Sequence, residues 1–194
     1  MKTTEDEEFA MPRQEHRVIF LVGFMGAGKT SVGRMLAEQL QWRFVDLDDL
    51  VVAREGRSVA QIFEEAGESG FRSRESAALQ QLLTELRSSG DAVVALGGGA
   101  LSQPENQAAV ERSGFLRIFL DAPVEELFRR CASQDLARPL RKDLSSFREL
   151  YLSRLPGYSS GAMHADTNSR SVAQVCDVVR SLLERGKLGV KETD

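Results

Sequence analysis

Lys29 and Thr30 close the run Gly23-Phe24-Met25-Gly26-Ala27-Gly28-Lys29-Thr30, which satisfies the pattern G-x-x-x-x-G-K-[ST]. Residues of these types at this spacing cradle a phosphate on backbone N–H groups, bring an ammonium to the terminal phosphates and offer a hydroxyl to Mg²⁺. Gly26, Ala27, Gly28, Lys29, Thr30 and Ser31 are therefore the expected binding residues for the phosphates of ATP. A second acidic cluster, Asp46-Leu47-Asp48-Asp49, follows a short apolar stretch. In extended geometry Asp46 and Asp48 point the same way, so one carboxylate faces the metal while its neighbour reaches an acceptor hydroxyl. Asp49 is then the expected cap of the next helix, although all three acids also suit a plain helix start.

Two further groups could complete a transfer site. Gly97-Gly98-Gly99 follows the apolar run Ala92 to Leu96. Three glycines in succession suit either a turn or the close approach of a ligand to the backbone. Because the run Val93 to Leu96 ends without an acid, Asp46 is the better metal partner for Thr30. Arg72, Arg74, Arg138 and Arg154 are arginines in an otherwise acidic chain, suited either to bidentate recognition of carboxylate and phosphate or to solvated surface positions. Arg138 lies in the polar stretch 133–143, which reads as a lid over ATP.

The elements that must hold these groups alternate between strand and helix. Strands are expected at Val18 to Val22, Phe44 to Asp46, Ala92 to Leu96, Phe115 to Leu120 and, weakly, Ala162 to Ala165. Helices are expected at Lys29 to Leu40, Val59 to Leu86, Gln107 to Arg112, Val124 to Arg130, Phe147 to Leu155 and Val172 to Leu183. Such alternation predicts an α/β fold with a central parallel sheet covered on both faces, and its ligands collect at the carboxyl ends of the strands. The Val59 to Leu86 stretch is interrupted by Gly67 and Gly70, which predicts a helical flap over the sheet, with Phe63 and Phe71 either walling a pocket or packing in the core. Trp42 and Phe44 read as packing at a helix-strand junction.

Bulk properties bound the function. The 194 residues carry a net charge of −4 and a pI near 5.4, which argues against broad binding to nucleic acid or anionic membrane. Cys131 and Cys176 lack metal-site or disulfide spacing, and no apolar stretch has the length of a signal peptide or a membrane span. A cytoplasmic monomer is expected, with a tail over 1–16, one domain over 17–187 and a second tail over 188–194.

Taken in order, these motifs resemble the shikimate kinase family. The resemblance rests on the glycine loop, Phe44-Val45-Asp46-Leu47-Asp48-Asp49, Ile62-Phe63, Gly70-Phe71-Arg72, the triple glycine, Ala137-Arg138-Pro139-Leu140 and Arg154-Leu155-Pro156-Gly157-Tyr158. It implies a three-layer P-loop sandwich like that of the nucleoside monophosphate kinases, with a shikimate-binding flap over about 48–75 and a lid. It also implies transfer of a phosphoryl group from ATP to the 3-hydroxyl of shikimate, on the route to chorismate and the aromatic amino acids. Under it, Lys29 contacts the ATP phosphates, Thr30 and Asp46 serve Mg²⁺, and Asp48 holds the ring hydroxyls. Arg72 and Arg154 take the carboxylate, Gly98 offers a backbone contact, Arg138 reaches the phosphates from the lid, and Arg130 and Arg170 lie on the adenine side. The family often has serine at the position of Thr30, and the hydroxyl is kept. A small kinase of another hydroxy acid such as gluconate, or a non-catalytic nucleotide binder, is the alternative.

Overall fold

The computed structural model describes residues 17–133 and 143–188. The expected N-terminal tail, most of the lid including Arg138, and the last six residues lie outside them. Five strands form one sheet: β1 (Val18–Val22), β2 (Arg43–Asp46), β3 (Ala92–Ala95), β4 (Leu116–Asp121) and β5 (Met163–Asp166). All neighbours are parallel, in the order β2-β3-β1-β4-β5. A parallel sheet needs a crossover after every strand, and the helices that supply the crossovers hide both faces. Every residue of β1 and β3 is accordingly buried.

The helices are α1 (Lys29–Leu40), α2 (Leu47–Glu55), α3 (Val59–Glu85), α4 (Pro104–Ser113), α5 (Val124–Ser133), α6 (Leu144–Ser159) and α7 (Val172–Leu188). Val32, Leu36 and Ala37 form the buried stripe of α1, which packs on β2, β3 and α7. β5 forms despite its weak signal, because its backbone completes the ladder beside β4, where Leu120 pairs with Ala165.

Local chemistry sets the boundaries that matter. Ser58 and Gln61 form a reciprocal capping box at the start of α3, satisfying two first-turn donors. Within α3, Gly67 adopts φ 66° and ψ −175°, a backbone state essentially reserved for glycine, and bends the helix there. Gly70, expected to interrupt the same stretch, is helical; a side chain at that position would collide with the Cβ of Ala66. α6 was expected to stop at Leu155 and instead runs through Pro156 to Ser159. Proline loses one helical hydrogen bond, but the turn after it closes with Ser160 N–H donating to the Pro156 carbonyl at 3.1 Å. This extra turn places Tyr158 four residues from Arg154, on the same helix face.

β1 lies between β3 and β4 although β2 follows it in the chain. The order reverses at this strand, so the crevice above its carboxyl end is where a doubly wound sheet receives a ligand.

Candidate active site

The loop leaving β1 supplies one half of the site. α1 begins on Gly28, which has φ 91° and no side-chain cap. A Cβ is disfavoured at that angle, and the uncapped first-turn N–H groups present the positive end of the helix to an anion. Lys29 Nζ donates to the carbonyls of Gly23 at 2.8 Å and Phe24 at 3.0 Å, which holds the ammonium over the loop. Phosphate oxygens are stronger acceptors than these neutral carbonyls, so the same ammonium can turn to a bound triphosphate.

Thr30 Oγ1 donates to Asp46 Oδ2 at 2.7 Å. Two hard oxygen groups beside a phosphate loop suit Mg²⁺, which takes one or two protein oxygens and fills its octahedron with water and phosphate oxygens. Among the described residues there is no cluster of three or more His, Cys, Asp or Glu that would cage a metal on protein ligands alone. The donor set therefore fits a metal that arrives with the nucleotide.

Asp46 and Asp48 are not arranged as expected. The extended backbone ends at Asp46, which is the N-cap of α2, and its Oδ1 accepts the Asp48 N–H at 3.0 Å. Asp48 is thus a first-turn helical residue, and the cap expected at Asp49 is made by Asp46. Aspartate is strongly favoured where its short side chain can reach the N–H two residues on, so the helix starts earlier than alternation suggests. Asp49 is exposed and pairs with Arg34 at 3.4 Å.

The acceptor half is built around the triple glycine. None of the three is at positive φ, so a special turn is not what requires them. Side chains pack against the Cα atoms of Gly97 and Gly99 instead. A Cβ on Gly97 would lie 2.7 Å from Asp48 Oδ1 and closer still to Glu75 Oε1, and one on Gly99 would overlap the guanidinium of Arg72. The Gly98 carbonyl accepts from Arg154 at 3.2 Å and from the hydroxyl of Tyr158. Asp48, Arg72, Glu75, Arg154 and Tyr158 thus converge on three residues of backbone. A cavity of about 100 Å³ joins this hub to the loop, lined by Lys29, Thr30, Asp46, Asp48, Gly97 and Gly98 among others.

Glu75 was missed by the sequence reading and is central here. It is fully buried, and Arg72 donates to its Oε2 at 2.7 Å. Burial raises its pKa despite the attraction of Arg72, and the nearby charge of Asp48 adds to the rise. Among the described residues its Oε1 has no hydrogen-bond partner. The i,i+3 spacing from Arg72 within a helix was the available signal. Phe63 and Phe71 stack with centroids 4.8 Å apart, and Arg72 lies 5.3 Å over the Phe71 ring. Arg74 does not join the hub: it donates to Glu55 at 2.8 Å and to the Gly70 carbonyl at 2.9 Å, tying α3 to α2.

On the other side of the loop a cavity of about 350 Å³ is lined by Ala27, Ser31, Glu126, Arg130, Thr167 and Arg170 among others. Arg130 donates to Glu126 at 2.8 Å and to the Thr167 carbonyl at 2.8 Å, and Arg170 donates to the Asp166 carbonyl at 2.8 Å. The two arginines of the expected adenine side are therefore brought together. Glu126, held by Arg129 and Arg130, is pulled down to about 2.

Comparison with known proteins agrees with the motifs. The family model described as shikimate kinase matches residues 25–184. The shikimate kinase of Symbiobacterium thermophilum is 43% identical over 177 residues, covering 88% of this chain and 99% of that relative. The structure of shikimate kinase from Acinetobacter baumannii in complex with shikimate superposes with a TM-score of 0.81 at 34% identity, covering 89% of this chain and 96% of the other. A gluconokinase from Sinorhizobium meliloti has a TM-score of 0.60 at 16% identity, over 92% of this chain and all of the other, and shares the fold alone. By the extent of the family match and the near-complete coverage of its relatives, this chain belongs to the shikimate kinase family.

Proposed function

We propose that the chain transfers the γ-phosphoryl group of ATP to the 3-hydroxyl of shikimate, giving shikimate 3-phosphate and ADP. The observation that carries this reading is the convergence of Asp48, Arg72 and Arg154 on Gly97 to Gly99, beside the cavity that opens onto the phosphate loop. A cyclic hydroxy acid has one carboxylate and a set of ring hydroxyls. Arg72 and Arg154 are the forks for the first, and Asp48 is the acceptor for the second, with Gly98 offering its backbone.

In the reaction a bond forms between the attacking oxygen and the γ-phosphorus, and the bond from that phosphorus to the bridging oxygen of ADP breaks. Phosphoryl transfer through a loose transition state needs positioning and charge neutralisation more than covalent help. Lys29 and the N–H groups of Gly26 to Ser31 neutralise the phosphates, while Asp48 aims the hydroxyl and is the carboxylate assigned to take its proton. Thr30 and Asp46 would hold Mg²⁺, which supplies further charge neutralisation when bound. Arg138, outside the described residues, is assigned to the transferring phosphoryl group on the resemblance alone. Arg130 and Arg170 are assigned to the adenine side of ATP. All these groups come from one chain, which is consistent with a monomer. Among the described residues no helix is long and apolar enough to cross a membrane. Both cysteines are buried, and their sequence spacing suits reduced thiols in a cytoplasmic protein.

The test is a coupled assay of ADP release with shikimate, with gluconate and with no acceptor. ADP release that depends on shikimate alone is expected. Folded protein without shikimate-dependent turnover would contradict the proposal, and turnover with gluconate would name the other acceptor.

A further inference from the structure

Tyr158 is only 2% exposed, so it is placed to act on the site through its neighbours. Its ring stacks on Phe119 with centroids 5.7 Å apart, which fixes the ring plane. Its hydroxyl donates to the Gly98 carbonyl. The guanidinium of Arg154, one helical turn earlier on α6, donates to the same carbonyl at 3.2 Å, which brings the cation up beside the phenol. Three groups form a small circuit: the phenol and the guanidinium both donate to one carbonyl, and sharing that oxygen sets them side by side. Arg154 itself is 9% exposed and lies 5.8 Å over the Phe24 ring, so one edge is held by an aromatic face.

The circuit has a directional consequence. A guanidinium has five donors in a rigid plane, and the one spent on Gly98, with the phenol beside it on the same oxygen, determines where the remaining ones point. One carbonyl receiving two donors also fixes the plane of the Gly98–Gly99 peptide, against which Arg72 packs. We propose that Tyr158 is a positioning residue for the acceptor: its hydroxyl locks the Arg154 fork and the Gly98 peptide in the orientation that receives the substrate carboxylate. This rests on the reading above, in which Arg154 binds that carboxylate. Both hydrogen bonds of the circuit end on Gly98, and Arg154 meets the phosphate loop at the Phe24 ring rather than at the groups that hold phosphate.

Tyr158→Phe tests it, because the ring and its stack on Phe119 are kept while the hydroxyl is lost. A hydrogen bond of this kind corresponds to about a five- to tenfold change. KM for shikimate is expected to rise by that factor, with KM for ATP and kcat changed less than twofold. In an Arg154→Ala background the same substitution is expected to add nothing to KM for shikimate, since the fork it orients is gone. Phe119→Leu loosens the stack but keeps the hydroxyl, and should lower Tm without separating the two KM values. An unchanged KM for shikimate in Tyr158→Phe, equal rises in both KM values, or a full additional rise on top of Arg154→Ala would overturn the inference. If Arg154→Ala raises KM for shikimate and Tyr158→Phe does not, only the positioning role fails. If Arg154→Ala itself has no effect, the carboxylate assignment fails.

Discussion

Lys29 and Glu75 carry charge in opposite circumstances, and each makes a measurable claim. The ammonium of Lys29 rests on two loop carbonyls and has its work in the transition state. Lys29→Ala is expected to lower kcat by about 10²- to 10³-fold, the usual loss for one preorganised charge-stabilising donor. Circular dichroism should show the fold unchanged. Glu75 is buried beside Arg72, and burial lifts its folded pKa above the ordinary 4.5. The sign follows directly. Between 4.5 and the raised value the folded state binds more protons than the unfolded one, so this carboxyl's contribution to stability falls as pH rises through that window. Protonation in the same window removes the charge that orients Arg72. KM for shikimate should therefore climb as pH drops toward 4.5, and this limb should be absent in Glu75→Gln. A pH profile identical in the two proteins would show that Glu75 does not set the orientation of Arg72.

At the scale of elements, the flap is governed by one backbone angle and the hub by the lack of side chains on Gly97 and Gly99. Gly67 lies in a region that costs other residues on the order of 1–3 kcal/mol, and a Cβ there would meet no atom within 4 Å. Gly67→Ala should lose stability of that order in urea titration. It should also raise KM for shikimate, because relief of the strain straightens α3 between Phe63 and Phe71. Gly99→Ala fails for a different reason, since the new methyl occupies space taken by the Arg72 guanidinium. Its expected result is a weakened acceptor site with KM for ATP unaffected. Periodicity revealed the strands and most helices, because burial on both faces of a parallel sheet leaves continuous apolar runs. It could not reveal that Asp46 starts α2, since the competing cap geometry is a matter of one residue. Nor could it carry α6 past Pro156, where the tertiary packing of Tyr158 on Phe119 outweighs the breaker.

For the whole molecule, both halves of the site lie on one rigid sheet, so binding at either should be felt as global stability. A ligand at 100 times its Kd adds about 2.7 kcal/mol, which in a chain of this size raises Tm by roughly 5–10 °C. ATP with Mg²⁺ is expected to give such a shift in scanning calorimetry, and chelation with EDTA should remove most of it. Site chemistry was legible in the sequence where it lies in contiguous motifs, as with Lys29 and Thr30. It was hidden where it depends on residues far apart in the chain, as with Glu75 and Tyr158 meeting at Gly97 and Gly98. Asp46 also joins distant parts, with one oxygen on Thr30 and the other on the N–H of Asp48. A metal nucleotide that engages Thr30 therefore tugs on the first turn of the helix bearing Asp48. Cooperativity between two sites is reciprocal by thermodynamic necessity, so whatever factor the nucleotide applies to shikimate affinity, shikimate must return to the nucleotide. Asp46→Asn, which keeps the cap but weakens the tie to Thr30 and the hold on Mg²⁺, should weaken binding of the metal nucleotide, leave shikimate binding by itself intact, and bring that shared factor toward one in paired titrations.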